Sequence, residues 1–119
     1  MFEVKIETHF SGAHHLLNYK GACENMHGHN WKVEVYVVGN TLDNSNILVD
    51  FKVLKKEVNK IIDYLDHKDI NELPEFKGIS PSSEIIAKYV YEKIKEKFKN
   101  VSRVSVWETD TSRATYWES

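Results

Sequence analysis

Apolar and polar residues alternate from residue 2 to residue 10, with Phe2, Val4, Ile6 and Phe10 on one side and Glu3, Lys5, Glu7 and His9 on the other. A period of two predicts a strand with one buried face. Residues 30 to 38 repeat the pattern, Trp31, Val33, Val35 and Val37 opposing Lys32, Glu34 and Tyr36. Gly39-Asn40 closes this second strand, and the polar run 43–46 supplies turn chemistry. The period then lengthens. Phe51, Leu54, Val58, Ile61, Ile62 and Leu65 form one helical stripe, with Asp50 placed to cap its first turn. Ala87, Val90, Tyr91, Ile94 and Phe98 predict a second helix entered through Ser80-Pro81. Val104 and Val106 mark a third strand, and residues 113–118 a fourth, hairpin-paired across 110–112. The order strand, strand, helix, helix, strand, strand predicts an α+β fold: a four-stranded antiparallel sheet with two helices on one face. Such a sheet leaves a second face and two edges to satisfy, which predicts oligomerisation.

At 119 residues, 41% apolar and 29% charged, the chain reads as a single globular domain, residues 1–119. Sixteen basic against eighteen acidic side chains give a net charge of -2. Non-specific binding to nucleic acid or to an anionic membrane therefore has no electrostatic support. No apolar run approaches the ~18 residues of a membrane span. The first residues lack a secretory signal, and the single cysteine has no internal partner for a disulfide. These features predict a cytoplasmic protein without a nucleic-acid or membrane partner. The histidines change the picture: four of the six fall between His14 and His29, in the same stretch as the only cysteine. That concentration marks a candidate metal site.

His27-Gly28-His29 is the strongest local signal. Residues i and i+2 of an extended chain point to one side, so both imidazoles can reach one ion, and Gly28 adds no side chain to crowd it. His14 and His15 are candidates for a third ligand, His9 a weaker one. Three histidines with an open fourth position is the pattern of a catalytic zinc, whereas two surface histidines in a loop is the plainer reading. Cys23 can be a fourth ligand, a base beside the metal, or a buried apolar cysteine. Asp66-His67 can form an acid–base pair if a helix-end turn lets the two side chains meet; otherwise it marks a helix C-terminus. Glu108 shares the parity of Val104 and Val106 and so projects from an apolar face. A carboxylate there needs donors, which a ligand with two neighbouring N–H groups supplies, unless the strand end has reached solvent. Ser82, Ser83 and Glu84 open the second helix, as polar ligand contacts or simply as a cap.

The ordered set Phe10-Ser11-Gly12-Ala13-His14, Cys23 to His29, Asp50-Phe51, Leu65-Asp66-His67, Pro81 to Glu84 and Glu108-Thr109 resembles the 6-pyruvoyl-tetrahydropterin synthase / 6-carboxytetrahydropterin synthase family. The resemblance spans nearly the whole chain and implies the tunnelling fold, ββααββ. It implies Zn2+ held by His14, His27 and His29, Cys23 as catalytic base, and His67 with Asp66 as the other proton-transfer group. Glu108 becomes the anchor of the pterin ring, and Ser82, Ser83 and Glu84 match a pterin-contacting segment, with serine where threonine is usual. The implied substrate is 7,8-dihydroneopterin triphosphate. Three residues separate Cys23 from His27, which resembles the carboxy, queuosine-pathway branch, in which triphosphate and acetaldehyde are lost; the alternative is the pyruvoyl branch. Non-catalytic zinc or pterin binding, with Cys23 closing the metal shell, is a further alternative. The family also implies a homohexamer, a dimer of trimers with sites between subunits.

Overall fold

The computed structural model describes residues 1–21 and 24–119. Strands β1 (Phe2–His14) and β2 (His27–Gly39) form a long antiparallel ribbon running from the pair Phe2↔Gly39 to the pair His14↔His27. Helix α1 (Phe51–Leu65), strand β3 (Lys68–Asp69), helix α2 (Ser83–Lys95), and strands β4 (Val101–Thr109) and β5 (Ser112–Tyr116) follow. The sheet order is β3-β1-β2-β4-β5, and the two helices pack on one face of it. The α+β class and the order of the main elements agree with the periodicities. Among the described residues no helix is long and apolar enough to cross a membrane.

Among the described residues the sheet has five strands rather than four and is not wholly antiparallel. The extra strand, β3, runs parallel to β1, pairing Lys68 with Gly12 and Asp69 with Ala13. Two residues cannot display a period, so nothing in the pattern announces it. Both ribbon strands also extend beyond the alternating runs, β1 through His14 and β2 back to His27.

The core lies between sheet and helices. Trp31, Val33, Val35, Val37, Val104 and Val106 from the sheet meet Leu54, Val58, Ile62, Ile86, Val90 and Ile94 from the helices. Asp50 caps α1 as its carboxylate accepts from Lys52 N at 2.8 Å, but the buried stripe starts at Leu54, since Phe51 stays exposed. The start of α2 differs from the Ser80-Pro81 expectation. Ser82 is the cap, its Oγ accepting from Ile85 N at 3.2 Å, because Ser80 Oγ is engaged by Leu17 N at 2.8 Å. The helix ends at Lys95 and leaves Phe98 beyond it, half-buried against the core.

The opposite face of the sheet is polar. Glu34 belongs to it by parity yet is buried, its carboxylate accepting from Trp107 Nε1 at 2.5 Å and Lys5 Nζ at 2.9 Å. Arg113 lies on that face too, donating to Ser105 Oγ at 3.2 Å and to Thr115 Oγ1.

Trp31 links the core to the histidine-rich end of the ribbon. Its Nε1 donates to Gly12 O at 3.1 Å, and its ring stands edge-on to His14 and His29, with centroids 4.9 and 5.2 Å away. Replacing Trp31 by Phe keeps most of the volume and removes the indole hydrogen bond to the Gly12 carbonyl. The expected cost is about 0.5–1.5 kcal/mol, read as a lower urea midpoint at unchanged slope.

Candidate metal centre

Pairing of β1 with β2 sets His14 opposite His27 and Gly12 opposite His29. The side chains of His27 and His29 share a side by the strand period, and His14 faces them across the ribbon. Their ring centroids lie 4.7 Å (His14–His27), 4.8 Å (His27–His29) and 5.3 Å (His14–His29) apart. Strand β4, on the other side of β2, brings in Glu108, so that one donor atom from each of His14, His27, His29 and Glu108 lies within 4.8 Å of the others.

Backbone carbonyls orient two of the rings. His14 Nδ1 donates to Pro81 O at 2.8 Å and His27 Nδ1 to Asn25 O at 3.0 Å. A carbonyl oxygen only accepts, so Nδ1 carries a proton; in the neutral, ligating form of each ring Nε2 then presents a lone pair inward. Glu108 Oε1 lies 2.8 Å from His29 Nε2, 3.3 Å from His14 Nε2 and 3.9 Å from His27 Nε2. The approach to His29 is not aligned as a hydrogen bond, and His29 Nε2 is a buried nitrogen without a partner among the described residues. Burial, reinforced by His14 and His27, holds the His29 imidazole below its ordinary value despite the neighbouring Glu108 charge. Neutral imidazole is the ligating form. Inward lone pairs at one point beside a carboxylate call for a cation, and three imidazole nitrogens suit a divalent transition metal that keeps a further position open.

His15 does not join this group. Asn71 grips its backbone, accepting from His15 N at 2.9 Å and donating to His15 O at 3.0 Å. His9 is exposed on the other face of the sheet, paired with Lys32. Cys23 lies outside the described residues.

Asp66 and His67 do meet, through an abrupt end to α1. Asp66 is the extended C-cap residue, and His67 takes the left-handed conformation at φ 57°, uncommon for a residue with a Cβ. Asp66 Oδ1 accepts from Ser11 N at 2.9 Å, His67 N donates to Ser11 O at 2.6 Å, and His67 Nδ1 lies 3.0 Å from Asp66 Oδ2. The Ser11 amide, ahead of the His67 ring, holds the Asp66 carboxyl below the usual range against the opposing effect of burial. The imidazole of His67 is 81% exposed and so open to a substrate.

Two cavities lie at this end of the sheet. One of about 170 Å3 is lined by His14 and Glu108 with Ser82, Ser83, Glu84, Glu24 and Tyr19 among its walls. The other, of about 480 Å3, is lined by His29 and His67 with Ser11, Asn30 and Lys68. Ser82 thus caps α2 and lines a cavity at once. Sequence reasoning missed Glu24 as a wall residue, although it adjoins Cys23. The orienting carbonyls of Pro81 and Asn25 carry no side-chain signature and could not be found from sequence.

Known proteins share the sequence pattern and the fold of this chain. The sequence profile of a family described as 6-pyruvoyl tetrahydropterin synthase matches residues 3–119. The chain is 34% identical over 125 residues to the 6-carboxy-5,6,7,8-tetrahydropterin synthase of Bacillus subtilis, covering 97% of this chain and 84% of that one. It is 38% identical over 107 residues to a protein of Archaeoglobus fulgidus named a putative 6-carboxy-5,6,7,8-tetrahydropterin synthase, covering 90% and 88%. The solved structure of the Caenorhabditis elegans 6-pyruvoyl tetrahydropterin synthase superposes with a TM-score of 0.89 at 28% identity, covering 99% and 96%.

Two outcomes test the centre. Removing an imidazole (His14→Ala or His29→Ala) should weaken divalent-metal binding by more than the about 10–100-fold that loss of an outer partner costs, measured by competition with a chelator. For Asp66, the unfolded carboxyl has its ordinary value of 3.8 and the folded one lies lower, so the stabilisation is complete above 3.8 and is lost as pH falls through the folded value. Urea midpoints in that acid range should therefore fall more steeply for the wild type than for Asp66→Asn.

Proposed function

This chain belongs to the 6-pyruvoyl tetrahydropterin synthase family, and on that premise we propose that it is a zinc-dependent 6-carboxy-5,6,7,8-tetrahydropterin synthase. Its substrate is 7,8-dihydroneopterin triphosphate, and its reaction is that of a lyase, releasing triphosphate and acetaldehyde. The observation that carries the reading is the convergence of His14, His27 and His29 on one point beside Glu108, in a chain whose relatives named for the carboxy enzyme match over most of its length. The three-residue interval between Cys23 and His27 supports the same branch.

The roles follow from the chemistry of each group. His14, His27 and His29 hold the metal through Nε2. When bound, zinc supplies the Lewis acidity that makes neighbouring hydroxyl and carbonyl groups of a substrate side chain reactive near neutral pH. Glu108, at the wall of the smaller cavity, accepts the ring N–H and the 2-amino group of the pterin as a paired, charge-assisted contact. Ser82, Ser83 and Glu84 line the same cavity and contact the ring edge. His67, exposed and backed by the Asp66 carboxylate, moves a proton on the side chain, and Cys23 is the second base.

The proposal extends to the assembly: residues 1–119 act as one domain in a cytoplasmic homohexamer, a dimer of trimers with sites between subunits. The β3 and β5 strands at the two edges of the sheet, and the exposed Phe2, Phe51 and Trp117, favour association.

Incubation of zinc-loaded protein with 7,8-dihydroneopterin triphosphate, followed by mass analysis, should give 6-carboxytetrahydropterin, triphosphate and acetaldehyde. Retention of the whole three-carbon side chain would instead assign the pyruvoyl reaction. Glu108→Gln keeps the shape but replaces an acceptor with a donor, so KM should rise about tenfold to a hundredfold with zinc retained. Cys23→Ala should abolish turnover and leave zinc in place; loss of zinc would make Cys23 a ligand.

A further inference from the structure

We propose that the polar face of the sheet, opposite the helices and the histidines, carries a second binding site, in which Arg103 and Arg113 hold an oxyanion of the polyphosphate class. The inference does not depend on the pterin reading. Of the sixteen basic side chains, only Arg103 and Arg113 are arginines. Both line one cavity of about 710 Å3, with the hydroxyl residues Ser102 and Thr115 also on its walls. A guanidinium is a planar fork of donors matched to the oxygens of a phosphate, which a lysine ammonium is not.

Strand register puts both forks on one face. Val104 and Val106 of β4 point into the core, so Arg103, Ser105 and Trp107 point the other way, and Thr115 and Arg113 pair with the last two. Each arginine is fixed before a ligand arrives. Arg103 lies flat on Tyr36, its Cζ 3.8 Å from the ring centroid. Arg113 leans back along the sheet, its Nη1 donating to Ser105 Oγ at 3.2 Å and to Thr115 Oγ1. Its Nη2 and Nε have no hydrogen-bond partner among the described residues. Forks held in place lose little side-chain entropy on binding. The two heads stand one row apart along the strands, about 7 Å, and at least one interstrand spacing of about 4.8 Å across them. A chain of phosphates spans such a gap better than a single ion.

Charge on this face is not balanced. Glu7 and Glu34 both lie by Lys5, at 3.5 and 2.9 Å, and Glu3, the one carboxylate on the cavity wall, lies 3.4 Å from Arg103. Arg113 and Lys32 have no carboxylate within ion-pair distance among the described residues. Both crowd onto one indole instead, Lys32 Nζ 4.5 Å and Arg113 Cζ 5.5 Å from the Trp107 ring centroid. The indole is itself held by the buried Glu34 through Nε1. Two cations sharing a ring without a counter-charge raise the local positive potential, and a polyanion offsets it.

The test is calorimetric titration of the whole protein with inorganic tripolyphosphate and with ATP, metal content being checked before and after. The wild type should bind tripolyphosphate, more weakly as salt is raised. Arg113→Gln and Arg103→Gln should each weaken binding by about tenfold or more, the scale of a lost charge-assisted contact, at urea midpoints close to wild type. Arg113→Lys, which keeps the charge and loses the fork, should recover only part of the loss. His29→Ala, altered at the metal centre, should bind as the wild type does. Tighter binding of ATP than of tripolyphosphate, with the advantage lost in Trp117→Ala at the cavity wall, would assign a nucleotide; equal binding would assign the phosphate chain alone. A wild type that does not bind tripolyphosphate, an Arg113→Gln protein that binds it as well as wild type, or a loss found in His29→Ala instead would each overturn the inference.

Discussion

Several electron-rich atoms aimed at one point cannot rest there without positive charge, and this constraint organises the histidine-rich end of the molecule. The Nδ1 protons of His14 and His27 are committed to backbone carbonyls, so in the neutral, ligating form their second nitrogens meet the His29 nitrogen and a Glu108 oxygen as lone pairs. Strand register delivers them. A slip of one residue between β1 and β2 would carry one set of imidazoles to the far face of the sheet. The register is pinned from below by apolar packing, above all by Trp31, which is fully buried and stacks on Phe10 at 5.7 Å. The same alternation that builds the core therefore builds the metal centre.

The second half of the site depends on how α1 ends. Bonds from Ser11 to Asp66 and His67 fasten the helix terminus to β1 and force His67 into its left-handed conformation. That turn lets adjacent side chains meet, and the chain leaving it becomes β3, which lays Lys68 beside Gly12. One short segment thus ends the helix, pairs two adjacent side chains and starts the edge strand.

Much of this was legible in the sequence. Periods of two and of helical spacing gave the main elements, and the His27-Gly28-His29 spacing with Glu108 on an apolar parity pointed to the site. Alternation alone ends the first strand at Phe10 and leaves His14 and His15 equivalent. Phe10, Gly12 and His14 share a parity, so four more residues of strand select His14. Other features had no local signal. Strand β3 is too short for a period, and Ser80 and Ser82 are equivalent as caps until Leu17 engages one of them. Glu34 sits at a polar position by pattern and is buried only because Trp107 folds over it from another strand.

The ribbon of β1 and β2 has thirteen residues on each strand, and the histidines occupy its last rungs. From His27 to Trp31, strand β2 pairs with β1 alone among the described residues, and a strand end held on one side frays most readily. An ion gripped by both strands there would work as a clasp, holding His14 against His27. The most reactive corner of the protein would then also draw part of its stability from the ion it holds.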